Sequence, residues 1–521
     1  MTVSRREFLA ITAAAAVGSA LPRFARAAPA KWHRLDLSST AAQPMLVSYQ
    51  TGITKMLQLP PTDPRNWYRN AFIHTLDCPH GNWWFPPWHR GYIGWFEQTI
   101  RSLSGNPNFA LPFWDWTKQP FVPPQFWQGV LNPSNPAYIA SYNAFYAAFK
   151  GPMNTFWNGL TAAQKAQLHK RGYNSVNDLW AAVQGDPMFF PPAQARTLTQ
   201  ANPNFDSTTK QDVSLPTIHA ALAPKLYTGP SSAGFGFGSG IAPFHSDTHA
   251  HFSILEGQPH NNVHNNVGGF MQDFLSPVDP IFFMHHANID RLWDAWTRKQ
   301  QKLGLPTLPT GADLPKWQNE PFLFYINSAG QPVAKNTAGA YATIDGFDYD
   351  YALGSGDSTG IAPHVTAATA ALSGKRFAGT VKAATADSGH AAQADVAVTA
   401  SLLDSASSEG GVDAFAVITI NPPANPAGAF FHVLVNATNV AAAAANGDDP
   451  SHAATVAFFG HHAHGPAQFA VPLTPSLKAL RSANRFKPTD PLHIHVLPER
   501  RGGVTEKLVT TGVTAVEVGT F

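Results

Sequence analysis

Two histidines four residues apart, in Glu256-Gly-Gln-Pro-His260-Asn-Asn-Val-His264, restrict this chain more than any other feature. On a helix that spacing places both imidazoles on one face, as a shared metal ion requires. A further histidine follows in Asp279-Pro-Ile-Phe-Phe-Met-His285-His286-Ala-Asn288-Ile-Asp290-Arg291. There Ile289, Leu292, Trp293 and Trp296 recur at three- and four-residue spacing and predict a helix with one buried face over Asn288 to Lys299. The stretch supplies a second set of three histidines, although the spacing alone also fits two core histidines and a capping residue.

A first set precedes it: His74, Cys78-Pro79-His80 and His89. Taken alone, three histidines in sixteen residues fit a polar patch as well as a metal site. Ligand type narrows the metal, because all-imidazole sets suit copper or zinc. A di-iron bundle would show Glu-x-x-His pairs and structural zinc would show cysteines. Two three-histidine sets leave open positions for a bridging dioxygen, and zinc stays open by ligand chemistry alone.

Length and charge set the frame. At 521 residues the chain is long enough for two or three domains. Charged residues are 13% against about 25% in an ordinary globular chain, while Pro 44, Trp 14 and Phe 35 predict long loops packed on aromatics. A net charge of +2 without a basic run argues against nucleic acid or an anionic membrane as partner. The first 27 residues read as a bacterial twin-arginine export signal, with Ser4-Arg5-Arg6-Glu7-Phe8-Leu9, a weakly apolar Ala10 to Leu21 and Ala25-Arg26-Ala27. That apolar stretch is short for a bilayer of roughly 30 Å. The expectation is a soluble mature protein, periplasmic or secreted, with the twin-arginine machinery as an export partner; a retained amino-terminal anchor is the other reading.

From Trp32 to about Tyr351 the chain is rich in Trp, Phe, His and Pro, with helical stretches such as Arg90 to Leu103, and predicts one mainly helical domain over residues 28–352. Residues 353–374 turn to Ala, Gly, Ser and Thr, a linker composition. Over residues 375–521 short alternating runs, such as Phe415-Ala-Val-Ile-Thr-Ile and Leu492-His-Ile-His-Val-Leu, predict half-buried strands and an all-β domain.

These residues carry a family resemblance. The run Asp279-Pro-Ile-Phe through Asp290 is similar to the second copper motif of tyrosinases and polyphenol oxidases, the type 3 copper proteins. Trp88-His89-Arg90, Leu111-Pro-Phe-Trp-Asp-Trp116 and Tyr349-Asp-Tyr351 resemble further landmarks. The carboxy-terminal part is similar, more faintly, to the β-domain of plant polyphenol oxidases. The resemblance implies a four-helix-bundle core carrying two copper ions and a sandwich-like all-β domain that shields the site until the linker is cut.

Residue by residue, it implies His74, His80 and His89 on one copper, and His260, His264 and His286 on the other. It selects His286 over His285. It implies a thioether between Cys78 and His80, with a free buried thiol as the alternative. Glu256 and Asn261 are expected to hold a water that takes the phenol proton, while a helix-start carboxylate is the plainer reading of Glu256. Phe274 resembles the bulky gate over the second copper. Asn288 and Asp290 are expected to orient the ligands, although Asp290-Arg291 also fits an ion pair. His245, His249, His251, His461, His462 and His464 lie outside the family's motifs. The implied activity is dioxygen-dependent ortho-hydroxylation of monophenols and oxidation of o-diphenols to o-quinones. A catechol oxidase without hydroxylation, a hemocyanin-like dioxygen binder and a metal-dependent hydrolase are the competing classes.

Overall fold

The computed structural model describes residues 30–183, 190, 195–228, 236–247, 251–358, 374–423, 426, 428–460, 465–500 and 511–520. Residues 1–27, read from sequence as an export signal, His249, the histidines at 461, 462 and 464 and most of the expected linker lie outside these residues. Trp32–Phe521 forms one unit.

Its helical part is organised by α1 (Gln43–Gln58), α2 (Trp67–Asp77), α3 (Phe85–Ser104), α4 (Tyr142–Asn158), α5 (Ala162–Lys170), α6 (Asn261–Val267) and α7 (Ile281–Leu303). Asn66 caps α2 by accepting from the N–H groups of Tyr68 and Arg69. Pro86 and Pro87 fall in the first turn of α3, where a missing N–H costs nothing, and Gly105 ends that helix at φ +75°. The two predicted amphipathic helices are present and longer than their periodicity indicated. α1 and α7 both pack on α3. Gly52 permits the α1 contact, since a Cβ there would lie 2.8 Å from Ile100. Phe96 of α3 stacks on Phe283 of α7. The core is helical.

A buried polar knot closes this part. Strand β1 (Trp32–Arg34) pairs in parallel with β3 (Tyr349–Tyr351). Arg34 donates to Glu97 at 2.8 Å and to the Tyr351 hydroxyl at 2.7 Å, and Tyr351 donates to Asp290 at 2.7 Å. Asp290 also accepts from Arg90 at 2.6 Å and from Tyr349. Buried charges persist only when paired this fully.

The carboxy-terminal strands form one curled sheet rather than the two facing sheets of a sandwich. Its order is β2-β10-β7-β12-β4-β6-β11-β8-β9, with β5 (Thr385–Ala386) beside β12. The strands are β4 (Arg376–Ala383), β6 (Ala392–Val396), β7 (Ala414–Ile420), β8 (Ala429–Val435), β9 (His452–Ala457), β10 (Ala467–Pro472), β11 (Leu492–Arg500) and β12 (Thr511–Thr520). The two-residue β2 (His251–Phe252) comes from the helical part and pairs in parallel with β10. Curling covers both faces of several strands. On β7, Ala416 and Ile418 enter the sheet's own core while Phe415 and Val417 join the helical core. The alternation predicted from sequence is there, but both of its faces are buried.

Candidate metal centre

His74 occupies the last turn of α2, His80 the loop that follows, and His89 the second turn of α3. The second set starts in a π-type turn, Glu256–His260, where Pro259 has no N–H to give the helical ladder. His260 ends that turn, His264 lies on α6 and His286 in the second turn of α7.

The fold brings all six together. In the first set, ring centres are 5.5 Å apart for His74 and His80, 5.7 Å for His74 and His89, and 5.5 Å for His80 and His89. In the second they are 4.6 Å for His260 and His264, 5.0 Å for His260 and His286, and 5.4 Å for His264 and His286. The sets abut, with His80 5.6 Å from His260 and His89 stacked on His286 at 4.3 Å.

Four of the six rings are held from behind. The Nδ1 atoms of His74, His89 and His264 bond the main-chain carbonyls of Phe274 at 2.9 Å, Phe85 at 2.9 Å and Met271 at 2.6 Å. His260 uses Nδ1 on the Asn261 side-chain oxygen at 2.7 Å. Such bonds put the proton on Nδ1 and leave Nε2 as the donor atom. The Nε2 atoms of His74, His80, His89 and His260 are buried without a hydrogen-bond partner, and those of His264 and His286 face each other at 3.2 Å. Burial drives the imidazoles toward the neutral form that binds metal, taking His74 and His260 each down to about 3.

His285 lies inside the second cluster as well, 4.8 Å from His264. Trp116 donates its indole N–H to Nδ1 of His285 at 3.1 Å, which puts the proton of the neutral ring on Nε2 and makes that atom a donor. The neighbouring His286 carries no such partner on Nδ1.

Around the rings, Cys78 Sγ lies 3.5 Å from His80 Nδ1 and accepts from Arg171 at 3.4 Å. Burial pushes its thiol up to about 12, against the opposing pull of Arg171. The Glu256 carboxylate accepts from the Gly81 N–H at 2.6 Å and the Ser239 hydroxyl at 2.7 Å, so it fixes the loop beside His80. Burial raises it to about 8, with those two bonds opposing. Phe274 packs 5.9 Å from His80. Asn288 and Asp290 touch no imidazole: Asn288 accepts from Arg291 at 2.8 Å, and Asp290 is consumed by the knot of Arg34, Arg90 and two tyrosines. The orienting groups are main-chain carbonyls, which motif reading cannot single out, and Asn261, which it assigned to a water rather than to a ring.

Sequence reading also missed Phe459. Its ring enters between the two histidine sets, 4.5 Å from His80, 4.6 Å from His264 and 5.7 Å from His260. The segment leading to it is clasped by side-chain amides around the second site. Asn261 donates to the carbonyl of Ala457 at 2.6 Å, Asn262 to Thr455 at 2.5 Å, Asn265 to Phe458 at 3.0 Å and Gln258 to Ala470 at 2.9 Å. The run Phe458-Phe-Gly-His-His drew attention only for its histidines.

Six converging imidazoles, four of them anchored through Nδ1, define a dinuclear all-histidine metal centre in a helical scaffold. The donor set fits copper, which favours imidazole, and among the described residues no carboxylate enters the cluster of open nitrogens. Residues 58–299 match the model for the common central domain of tyrosinase. It is 27% identical over 321 residues to (+)-larreatricin hydroxylase of Larrea tridentata, covering 58% of this chain and 46% of that one. It is 26% identical over 265 residues to a tyrosinase of Hahella sp. (strain CCB-MM4), covering 49% and 43%. The chain thus spans less than half the length of these relatives. Its fold is shared with recombinant latent aurone synthase (TM-score 0.55, 19% identity, 95% and 90% of the two chains) and with latent apple tyrosinase (0.52, 20%, 95% and 98%).

Proposed function

We propose that this chain is a dicopper phenol oxidase that hydroxylates monophenols at the ortho position and oxidises o-diphenols to o-quinones. The observation that carries the reading is the set of six imidazoles, the half-buried His80 and the buried His74, His89, His260, His264 and His286, with their open nitrogens converging. Copper bound there supplies the redox chemistry with dioxygen as co-substrate. The protein's own work is to hold the rings, exclude water and move a proton. Glu256, buried and raised to about 8, is suited to accept the phenol proton through a water. Asn261 is the second holder of that water in this reading, and it is free for the role only when it releases the carbonyl of Ala457.

Phe459 occupies the space a phenol ring would take, so the sheet of residues 375–521 serves as a shield and the intact chain is latent. A catechol oxidase without hydroxylation is the second reading, favoured by the engagement of both ends of the Asn261 amide. Export by the twin-arginine route to the periplasm or medium completes the proposal; among the described residues no helix is long and apolar enough to cross a membrane. The deciding experiment is copper reconstitution, then a colour assay on chain that has been cut within residues 353–374 and freed of its sheet by detergent. Two coppers per chain with quinone from a monophenol supports hydroxylation, quinone from catechol alone supports the second reading, and quinone from neither overturns both.

A further inference from the structure

The outer side of α2 carries a second feature, independent of the copper reading. Arg69, Phe72, Ile73 and Leu76 are spaced at three, four and seven residues and share one face of the helix. With Met153 of α4 and Phe324, they line an apolar cavity of about 150 Å³. A cavity of that size holds one aromatic ring. A second hollow of about 330 Å³ adjoins it, and both are walled by Arg69, Phe156 and Gln164.

Arg69 is the only charged residue in either wall. Its guanidinium stands over the Phe156 ring at 5.2 Å and donates one bond, to the carbonyl of Pro61 at 3.3 Å. Among the described residues no carboxylate forms an ion pair with it. The nearby Asp63 is taken by Arg65, at 2.8 Å. Gln164 brings no charge, and its amide already donates to Leu323 while its oxygen accepts from Thr161. Burial depresses Arg69 below the ordinary arginine range, with Asp63 opposing. A half-buried guanidinium with spare N–H groups at the mouth of a ring-sized apolar cavity lacks one complement, an anion attached to a ring.

We infer that Arg69 and the cavity behind α2 form a binding site for a monocyclic aromatic carboxylate. The ring fills the space between Ile73, Leu76 and Met153, and the carboxylate takes the free edge of Arg69. Because His74 projects from the same helix into the metal centre, an occupied cavity braces α2 from behind.

The test is a titration of the purified full chain with benzoate, read at the methyl resonance of Met153, assigned by its loss in Met153→Leu. Met153 is fully buried and lines the cavity, so a bound ring shifts it whatever happens at the histidines. The expected result is a saturable shift, weakened about tenfold or more in Arg69→Gln and by under about threefold in Arg69→Lys, as a charge-assisted bond requires. Benzyl alcohol, the same ring without charge, should bind about tenfold more weakly than benzoate. No saturable Met153 shift, or equal affinity for benzyl alcohol, would overturn the inference, and so would full affinity in Arg69→Gln. If the Gln variant fails to fold, the Lys variant and the benzyl alcohol comparison decide alone.

Discussion

Asn261 donates to the main-chain carbonyl of Ala457 at 2.6 Å while its side-chain oxygen bonds the ring of the preceding His260. One carboxamide therefore joins the end of β9 to the His260 ring. Asn262 and Asn265 repeat the clasp on the carbonyls of Thr455 and Phe458, both just ahead of Phe459.

The shield makes the first prediction. Replacing Phe459 by Ala empties the space between the histidine sets without touching a ligand. Catechol turnover by the intact, copper-loaded chain should rise by about tenfold or more, a barrier change near 1.4 kcal/mol. Turnover that stays flat while copper content is unchanged would remove Phe459 as the obstruction.

Glu256 makes the second. Glu256→Gln keeps the size and removes the base, so monophenol hydroxylation should fall by about 100-fold and catechol oxidation far less. With the carboxyl at about 8, monophenol turnover should climb as pH rises through that value, since only the ionised form accepts a proton. Equal losses on the two substrates would assign Glu256 to anchoring the Gly81 loop alone.

Cys78 makes the third. The sulfur lies 3.5 Å from the His80 ring, and a thioether would join Cys78 to His80 with loss of two hydrogens. Peptide mapping of copper-loaded protein should recover the two residues cross-linked. A thiol that alkylates fully after denaturation would show the bond never formed.

His245 makes the fourth, on stability. Burial opposes its charge, but Asp77 at 2.9 Å and Glu320 at 2.6 Å outweigh that and hold the ring up at about 9. The folded state keeps a proton that the unfolded chain releases near 6.5. Its contribution, roughly 3 kcal/mol, is complete below that value and is lost as pH rises through about 9. Urea midpoints should decline across that window in the wild type and lose most of this slope in His245→Gln; parallel declines would detach the effect from this residue.

The histidines were legible because metal geometry imposes a spacing on sequence: His260 and His264 must share a helical face, and motif reading selected His286 over His285. The structure places both in the second cluster and sets the Trp116 indole N–H on Nδ1 of His285. Asp290 was read as a ligand orienter because it lies one turn after His286, yet the turn aims it at Arg90 and the tyrosines of β3. Phe459 was illegible for a different reason. Its role depends on a sheet folding back over helices more than 150 residues earlier in the chain, and nothing in a Phe-Phe-Gly run records what it faces. The same folding-back hid the double burial of β7, whose alternation reads identically whether its second face meets water or another core.

β2 reaches further than its two residues suggest. Its His251 N–H donates to the carbonyl of Gly81 at 2.8 Å, next to His80, while the strand pairs with β10. Cutting the connection near residues 353–374 would leave this seam intact, so a nicked molecule would still migrate as a single particle. Activation by proteolysis then needs a separate push, from detergent, denaturant or acid, to peel the severed piece away.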